Sequence, residues 1–237
     1  MKKFLMKILP NIIIKLLIRL KERHFDGYFH KSYSQEGEDM ILRRIFENQI
    51  KGFFVDVGAH HPKRFSNTYF FYKIGWNGIN IDAMPGSMKA FEQCRPRDIN
   101  IEKPISSKKQ VLTYYAFNEP ALNGFSKEIS ESRDGLNGYQ IDFTKDIETV
   151  TLEHVLDLNL PAKQIIDFLS VDVEGLDFDV IKSINFEKYR PRVILIEMLG
   201  ASLSEIGSSE ISKYLAAQNY DCYAKSVCSV IFKARNV

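Results

Sequence analysis

The stretch Phe53-Phe54-Val55-Asp56-Val57-Gly58-Ala59-His60-His61-Pro62 constrains this chain more than any other. Its first half is an apolar run closed by Asp56-Val57 and bounded by Gly52 and Gly58, as a strand buried on both faces should be. Its second half is a loop with one glycine. A dinucleotide-binding loop needs more than one, because a pyrophosphate requires close backbone approach and a helix N-terminus pointing at it. The bulky His60, His61 and Pro62 obstruct such approach.

Strand and helix signals alternate beyond that loop. Helical spacing runs over Glu36 to Asn48 and over Asn67 to Ile74, where Gly75 ends it. Gly78 to Ala83 reads as a second strand, Ser87 to Gln93 as a helix, Ile99 to Ile105 as a third strand and Val111 to Phe117 as another. A short helix over Thr151 to Leu158 precedes the next strand, Ile165 to Gly175, which leaves into a helix over Phe178 to Ile184. Arg192 to Met198 is a buried strand, Glu210 to Gln218 a helix, and Cys222-Tyr223 with Ser229 to Phe232 a closing hairpin. This alternation predicts an α/β fold: a Rossmann-like parallel sheet covered by helices on both faces, with the hairpin as an antiparallel edge. Asn118 to Glu148, rich in Asn, Gly, Ser and charge, reads as an irregular insertion or lid.

The length of 237 residues suits one such domain, residues 34–237, behind an N-terminal extension, residues 1–33. The net charge of +2 conceals an asymmetry: Lys2, Lys3, Lys7, Lys15, Arg19, Lys21 and Arg23 stand against Glu22 alone. The remainder is near neutral, which argues against a nucleic-acid partner. Lys7, Pro10, Lys15 and Arg19 interrupt every apolar run of the extension, so none reaches the roughly 18 to 20 residues that span a bilayer. Ile12, Ile13, Leu16, Leu17 and Leu20 instead give an amphipathic helix suited to a membrane surface, to its own domain or to a second copy in a homodimer. Cys94, Cys222 and Cys228 lack zinc or redox spacing and read as reduced thiols of a cytoplasmic protein, the last two packed in strands.

Ligands of such a sheet lie beyond the carboxyl ends of its strands, where the winding reverses. Asp56, Asp82, Ser106, Asp172, Glu174 and Glu197 all fall at or near predicted strand ends. Asp82, about two dozen residues past the glycine loop, suits the hydroxyls of a ribose. A nucleoside without a pyrophosphate then fits best, and S-adenosylmethionine has an amino-acid tail and a sulfonium that one glycine and polar side chains accommodate.

The blocks SQEGEDMIL (34–42), FVDVGAHHPKRFSNTYFFYKIGWNGINIDAMP (54–85), NEPALNGFS (118–126), FLSVDVEGLDFDVIKSINFEKYRP (168–191) and VILIE (193–197) resemble the FkbM-type S-adenosylmethionine-dependent methyltransferases. The resemblance implies a seven-stranded methyltransferase sheet and O-methylation of a sugar, in many relatives within polysaccharide assembly. It implies that Asp56, Gly58 and Ala59 border the methionine portion, that Asn67 and Thr68 help hold its carboxylate, and that Asp82, with Ala83 beside it, takes the ribose. Ser106 falls where the adenine loop is expected, and Gln35 closes over the cofactor. His60-His61-Pro62 departs from a pattern that elsewhere carries a small residue or glycine.

For catalysis, Asp172 and Glu174 share one face if the strand continues, since side chains at i and i+2 point the same way. They would emerge beside Glu197, with His60 or His61 across the mouth. A base role for Glu174 or His60 and a divalent cation (Mg²⁺ or Mn²⁺) held among Asp172, Glu174 and Glu197 both remain open. His61, Tyr72 and Asn123 are the candidates for acceptor binding. Asp56 and Asp172 also have structural readings, as an acceptor of loop amides and as the cap of the following helix, and the charges over Lys127 to Lys145 suit a solvated face. The rival functions are a nicotinamide-dependent oxidoreductase and a non-catalytic protein of the membrane surface.

Overall fold

The computed structural model describes residues 10–24 and 30–235. A boundary between two units falls after Ser32. Of the first unit, helix α1 (Asn11–His24) carries exposed Ile12, Ile13, Leu16, Ile18 and Leu20. No helix among the described residues is long and apolar enough to cross a membrane.

The second unit begins with α2 (Glu38–Ile45) and β1 (Phe53–Val57), followed by α3 (Tyr69–Lys73), β2 (Asn77–Asp82), α4 (Met88–Cys94) and β3 (Ile99–Glu102). Then come β4 (Val111–Phe117), a 3₁₀ turn at Pro120–Leu122, α5 (Lys127–Arg133) and β5 (Ile141–Glu148). The chain continues through α6 (Leu152–Asn159), β6 (Phe168–Val171), α7 (Asp177–Lys182), β7 (Val193–Glu197), α8 (Leu203–Ile206), α9 (Glu210–Ala217), β8 (Tyr220–Lys225) and β9 (Ser229–Ala234).

Seven strands form one sheet in the order β3-β2-β1-β6-β7-β9-β8. The strands β1, β2, β3, β6 and β7 are parallel, and β9 runs antiparallel to both of its neighbours. The closing hairpin thus forms the antiparallel edge that the sequence predicts, with β8 outermost. The last strand is inserted between β7 and β8, because its Val230, Ile231 and Phe232 are apolar enough for the interior while β8 leaves Asp221, Cys222 and Tyr223 exposed.

The five residues of β1 are all buried, with Phe53, Val55 and Val57 in the cluster on one face and Phe54 in that on the other. On the Phe54 side, the Phe168 ring lies 4.9 to 6.1 Å from the rings of Phe46, Phe54, Phe71 and Trp76. Burying each such ring contributes about 1.5 to 3 kcal/mol, which fixes the register of the central strands. The winding reverses between β1 and β6, so the loops after these two strands open the crevice of the fold.

Two expectations are corrected. The segment Asn118 to Glu148 is not irregular: β5 pairs antiparallel with β4 as a separate two-stranded sheet, with α5 between them in sequence. Most β5 side chains are exposed, so backbone pairing rather than an apolar face makes the strand, and hydropathy does not reveal it. The strand expected over Ile165 to Gly175 stops at Val171, which moves Asp172 and Glu174 into a loop.

Candidate functional site

The loop after β1 turns at Gly58, whose φ is +82°. A Cβ there would stand 1.6 Å from the Asp172 carbonyl oxygen, so only glycine lets this loop cross the end of β6. The N–H groups of Gly58 and Ala59 donate to the Ile81 carbonyl, and the Asp172 N–H donates to the Val57 carbonyl. The ends of β1, β2 and β6 are thereby tied around one cavity of about 390 Å³, within the range of small-molecule sites.

Asp82 ends β2 at the wall of this cavity, with Ala83 beside it. Its Oδ2 accepts from the His60 N–H and its Oδ1 from the Met84 N–H, each at 2.8 Å. A carboxylate offers about four acceptor sites, so two remain for hydroxyl donors. Burial pushes the Asp82 carboxyl up, against the pull of those two amides. Asn67 also lines the cavity and donates to the Ser170 hydroxyl at 3.1 Å.

Three carboxyls converge at the end of β6 and β7: Asp172, Glu174 and Glu197 each bring an oxygen within 4.8 Å of the others. Strand alternation does not achieve this. Glu174 takes left-handed backbone, φ +51°, and Gly175 follows at +102°. Asp177 at the start of α7 holds that turn, accepting from the Val173 and Gly175 N–H groups. Although the Asp172 residue is exposed, the protein atoms packed about its carboxyl strip it of water, and this desolvation, then the charges of Glu197, Asp177 and Glu174, pushes the group well above its ordinary value. Burial and the neighbouring acids Glu174 and Asp177 push Glu197 up to about 8. Burial raises Glu174 as well, opposed by Arg133, whose guanidinium donates to it at 2.7 Å.

Arg133 comes from α5, so the segment between β4 and β5 reaches into the site. It does so at a second place, where Glu119 takes both prongs of Arg64 at 3.1 and 3.2 Å. Arg64, Arg133 and Glu119 all line the cavity. None of the three was a sequence candidate, and Arg133 overturns the reading of the Lys127 to Lys145 charges as a uniformly solvated face. The one signal for Arg133 is its place at the end of a short helix capped by Ser126, which fixes the face it presents.

Of the sequence candidates, Gln35, Asp56, Gly58, Ala59, His60, Asn67, Asp82, Ala83, Asn123, Asp172, Glu174 and Glu197 line this cavity. Four do not. Ser106 is fully buried beneath it and accepts from Gln110 at 3.1 Å, because β3 ends at Glu102 rather than at the expected Ile105. Thr68 is buried one layer down and donates to Asp56 at 2.7 Å. His61 accepts the Lys63 and Arg64 N–H groups on its Nδ1 and so shapes the loop. Tyr72 is packed beneath Arg95 and Arg97, whose guanidinium carbons lie 5.3 and 3.9 Å from its ring centre. Cys228 is in the turn between β8 and β9, not packed in a strand, and lines the cavity.

Behind the site runs a buried polar chain that hydropathy conceals. Fully buried Arg95 donates to Thr68 at 3.0 Å and to Asp98 at 2.8 Å, and Asp98 accepts the Gly78 N–H. Through Thr68 this chain fixes Asp56 from below, although one guanidinium nitrogen of Arg95, Nη2, has no hydrogen-bond partner.

The sequence matches the Methyltransferase FkbM domain over residues 56–222, and the chain belongs to that family of S-adenosylmethionine-dependent methyltransferases. Among solved structures, it is similar to a TehB-like SAM-dependent methyltransferase from Corynebacterium glutamicum, at 8% identity and a TM-score of 0.40 over 95% of this chain and 100% of that one. No curated protein matches the sequence. The family sets aside the nicotinamide rival.

The residues fit the family's cofactor. The cavity joins a carboxylate with spare acceptor sites, Asp82, to a loop with a single glycine, and it includes a buried ring nitrogen, His60 Nε2, with no partner. Asp82 would hold the ribose hydroxyls, and Asn67 with the Gly58–Ala59 backbone would border the amino-acid tail. Bound there, the cofactor supplies a methyl group made electrophilic by its sulfonium.

Proposed function

We propose that this protein transfers that methyl group to a hydroxyl of a carbohydrate, a polysaccharide or nucleotide-linked sugar. The carboxyl cluster carries the reading. A sugar hydroxyl is a weak nucleophile near neutral pH and reacts when a base takes its proton. A carboxylate of ordinary acidity is a poor base for this, whereas one with its proton affinity raised toward neutrality is matched to it. Glu197, pushed up to about 8 among Asp172 and Glu174, has that property. In this reading Glu197 accepts the hydroxyl proton once it has lost its own, so that transfer rises as pH approaches about 8, and the Arg133 guanidinium opposes the rise that burial imposes on Glu174. His60, which burial and Arg64 hold below the ordinary histidine value, stays neutral and presents its free Nε2 as a further acceptor or donor. Polar groups from the lid, Glu119, Asn123 and Arg133, suit an acceptor covered in hydroxyls.

Calorimetric titration with S-adenosylhomocysteine tests the cofactor half. Native protein gives a binding heat and Asp82→Ala weakens the affinity by at least roughly tenfold; no heat from native protein ends the assignment. Incubating candidate glycans with isotope-labelled cofactor tests the other half, by the mass of one methyl group on a sugar hydroxyl. The competing use of the three acids is as oxygen ligands for Mg²⁺ or Mn²⁺; transfer that continues in excess EDTA removes it. The same reading sets the enzyme in the cytoplasm, with α1 against the inner membrane or against a second copy.

A further inference from the structure

Phe65, in the loop between β1 and α3, has φ +56°. A bulky side chain keeps that conformation only where its surroundings impose it, and such positions gather at functional sites. The Arg64 guanidinium carbon lies 4.4 Å from the centre of the Phe65 ring. The His60 ring is nearly parallel to it, at 21° and 6.5 Å. Arg64 is fixed in turn by its two-pronged pairing with Glu119. Yet the ring is left 41% exposed at the wall of the cavity, so core packing does not account for the strain.

We propose that Phe65, Arg64 and Glu119 form the subsite that grips the acceptor, and that Phe65 selects for a pyranose; the proposal rests on the carbohydrate reading above. A pyranose has a face of C–H groups and a rim of hydroxyls. Its recognition calls for flat apolar surface beside fixed polar groups that bond neighbouring hydroxyls. The Phe65 ring supplies the surface, and the planar guanidinium and carboxylate supply the donors and acceptors. Of the other aromatic residues that line the cavity, Tyr114 is buried, Phe125 is half-buried with its ring centre 5.2 Å from that of Tyr114, and Tyr139, though exposed, has neither the left-handed backbone nor the paired guanidinium beside it.

The test is saturation-transfer NMR on the full chain with S-adenosylhomocysteine, using the methyl glycosides of glucose, galactose, mannose and rhamnose as probes. Native protein transfers saturation to the C–H face of at least one glycoside. Phe65→Ala weakens that binding by roughly tenfold, and Phe65→Trp retains it. Calorimetry with S-adenosylhomocysteine gives the same affinity for all three proteins, which shows that the variants are folded. Equal glycoside binding by native protein and Phe65→Ala overturns the subsite and leaves the carbohydrate reading standing. Silence from native protein with all four glycosides overturns both.

Discussion

His60 and Glu174 both hold left-handed backbone at φ +51°, and both face the cavity. Such conformations cost of order 1 to 3 kcal/mol each, and here they turn side chains inward from the ends of β1 and β6. No sequence pattern marks them, because neither is a glycine or an asparagine. Gly58 is different: its need is visible in the sequence as the one glycine after a buried strand, although its reason, the Asp172 carbonyl 1.6 Å from a Cβ, is tertiary. The raised carboxyls have a consequence for stability. Glu197 holds its proton up to about 8 in the folded protein but only to an ordinary 4.5 when unfolded. Between those values the native state binds more protons than the unfolded state, so stability falls as pH rises. In metal-free buffer the melting temperature should decline from about pH 5 to about pH 8, by linkage to this group and Asp172. Glu197→Gln, which cannot ionise, should flatten that decline; a variant whose profile keeps the native slope would show that the proton is held elsewhere.

At the scale of elements, the parallel strands and their helices follow from hydropathy, since a run such as Phe53 to Val57 has no stable place except inside a sheet. The segment between β4 and β5 does not follow from it. Its strand is paired through the backbone and its helix is short and polar, so a local reading sees only charge and turns. What the segment contributes is contact with the body: Arg133 on Glu174 and Glu119 on Arg64. The second pair is half-exposed and, like other surface pairs, is worth about 0 to 1 kcal/mol. The first is largely shielded from water and acts on the carboxyl cluster. Arg133→Gln should leave S-adenosylhomocysteine affinity near native while lowering kcat/KM for the acceptor at least tenfold, about 1.4 kcal/mol, with partial recovery in Arg133→Lys. A variant with native kcat/KM would reduce Arg133 to a structural tie.

For the molecule as a whole, the order of strands sets the site where the winding reverses, and the hairpin at the chain's end closes the sheet by inserting β9 beside β7. The α1 helix is a separate matter: exposed Ile12, Ile13, Leu16 and Leu20 together with Lys15 and Arg19 suit an anionic lipid surface. The full chain should sediment with vesicles containing phosphatidylglycerol and be released by high salt, and Leu16→Glu with Leu20→Glu should abolish the binding. Sedimentation by the double variant at the native level would exclude the helix as the contact. Alternating apolar runs, one glycine loop and the FkbM blocks were enough to establish the sheet, its cofactor class and the three carboxyls, Asp82 and the glycine loop of the cavity, because burial and turn chemistry are written in local composition. They did not establish which way the Glu174 loop turns, or that Arg133, Phe65 and Glu119 belong to the site. Those depend on segments far apart in sequence being held at ångström separations, and only the folded chain specifies such distances.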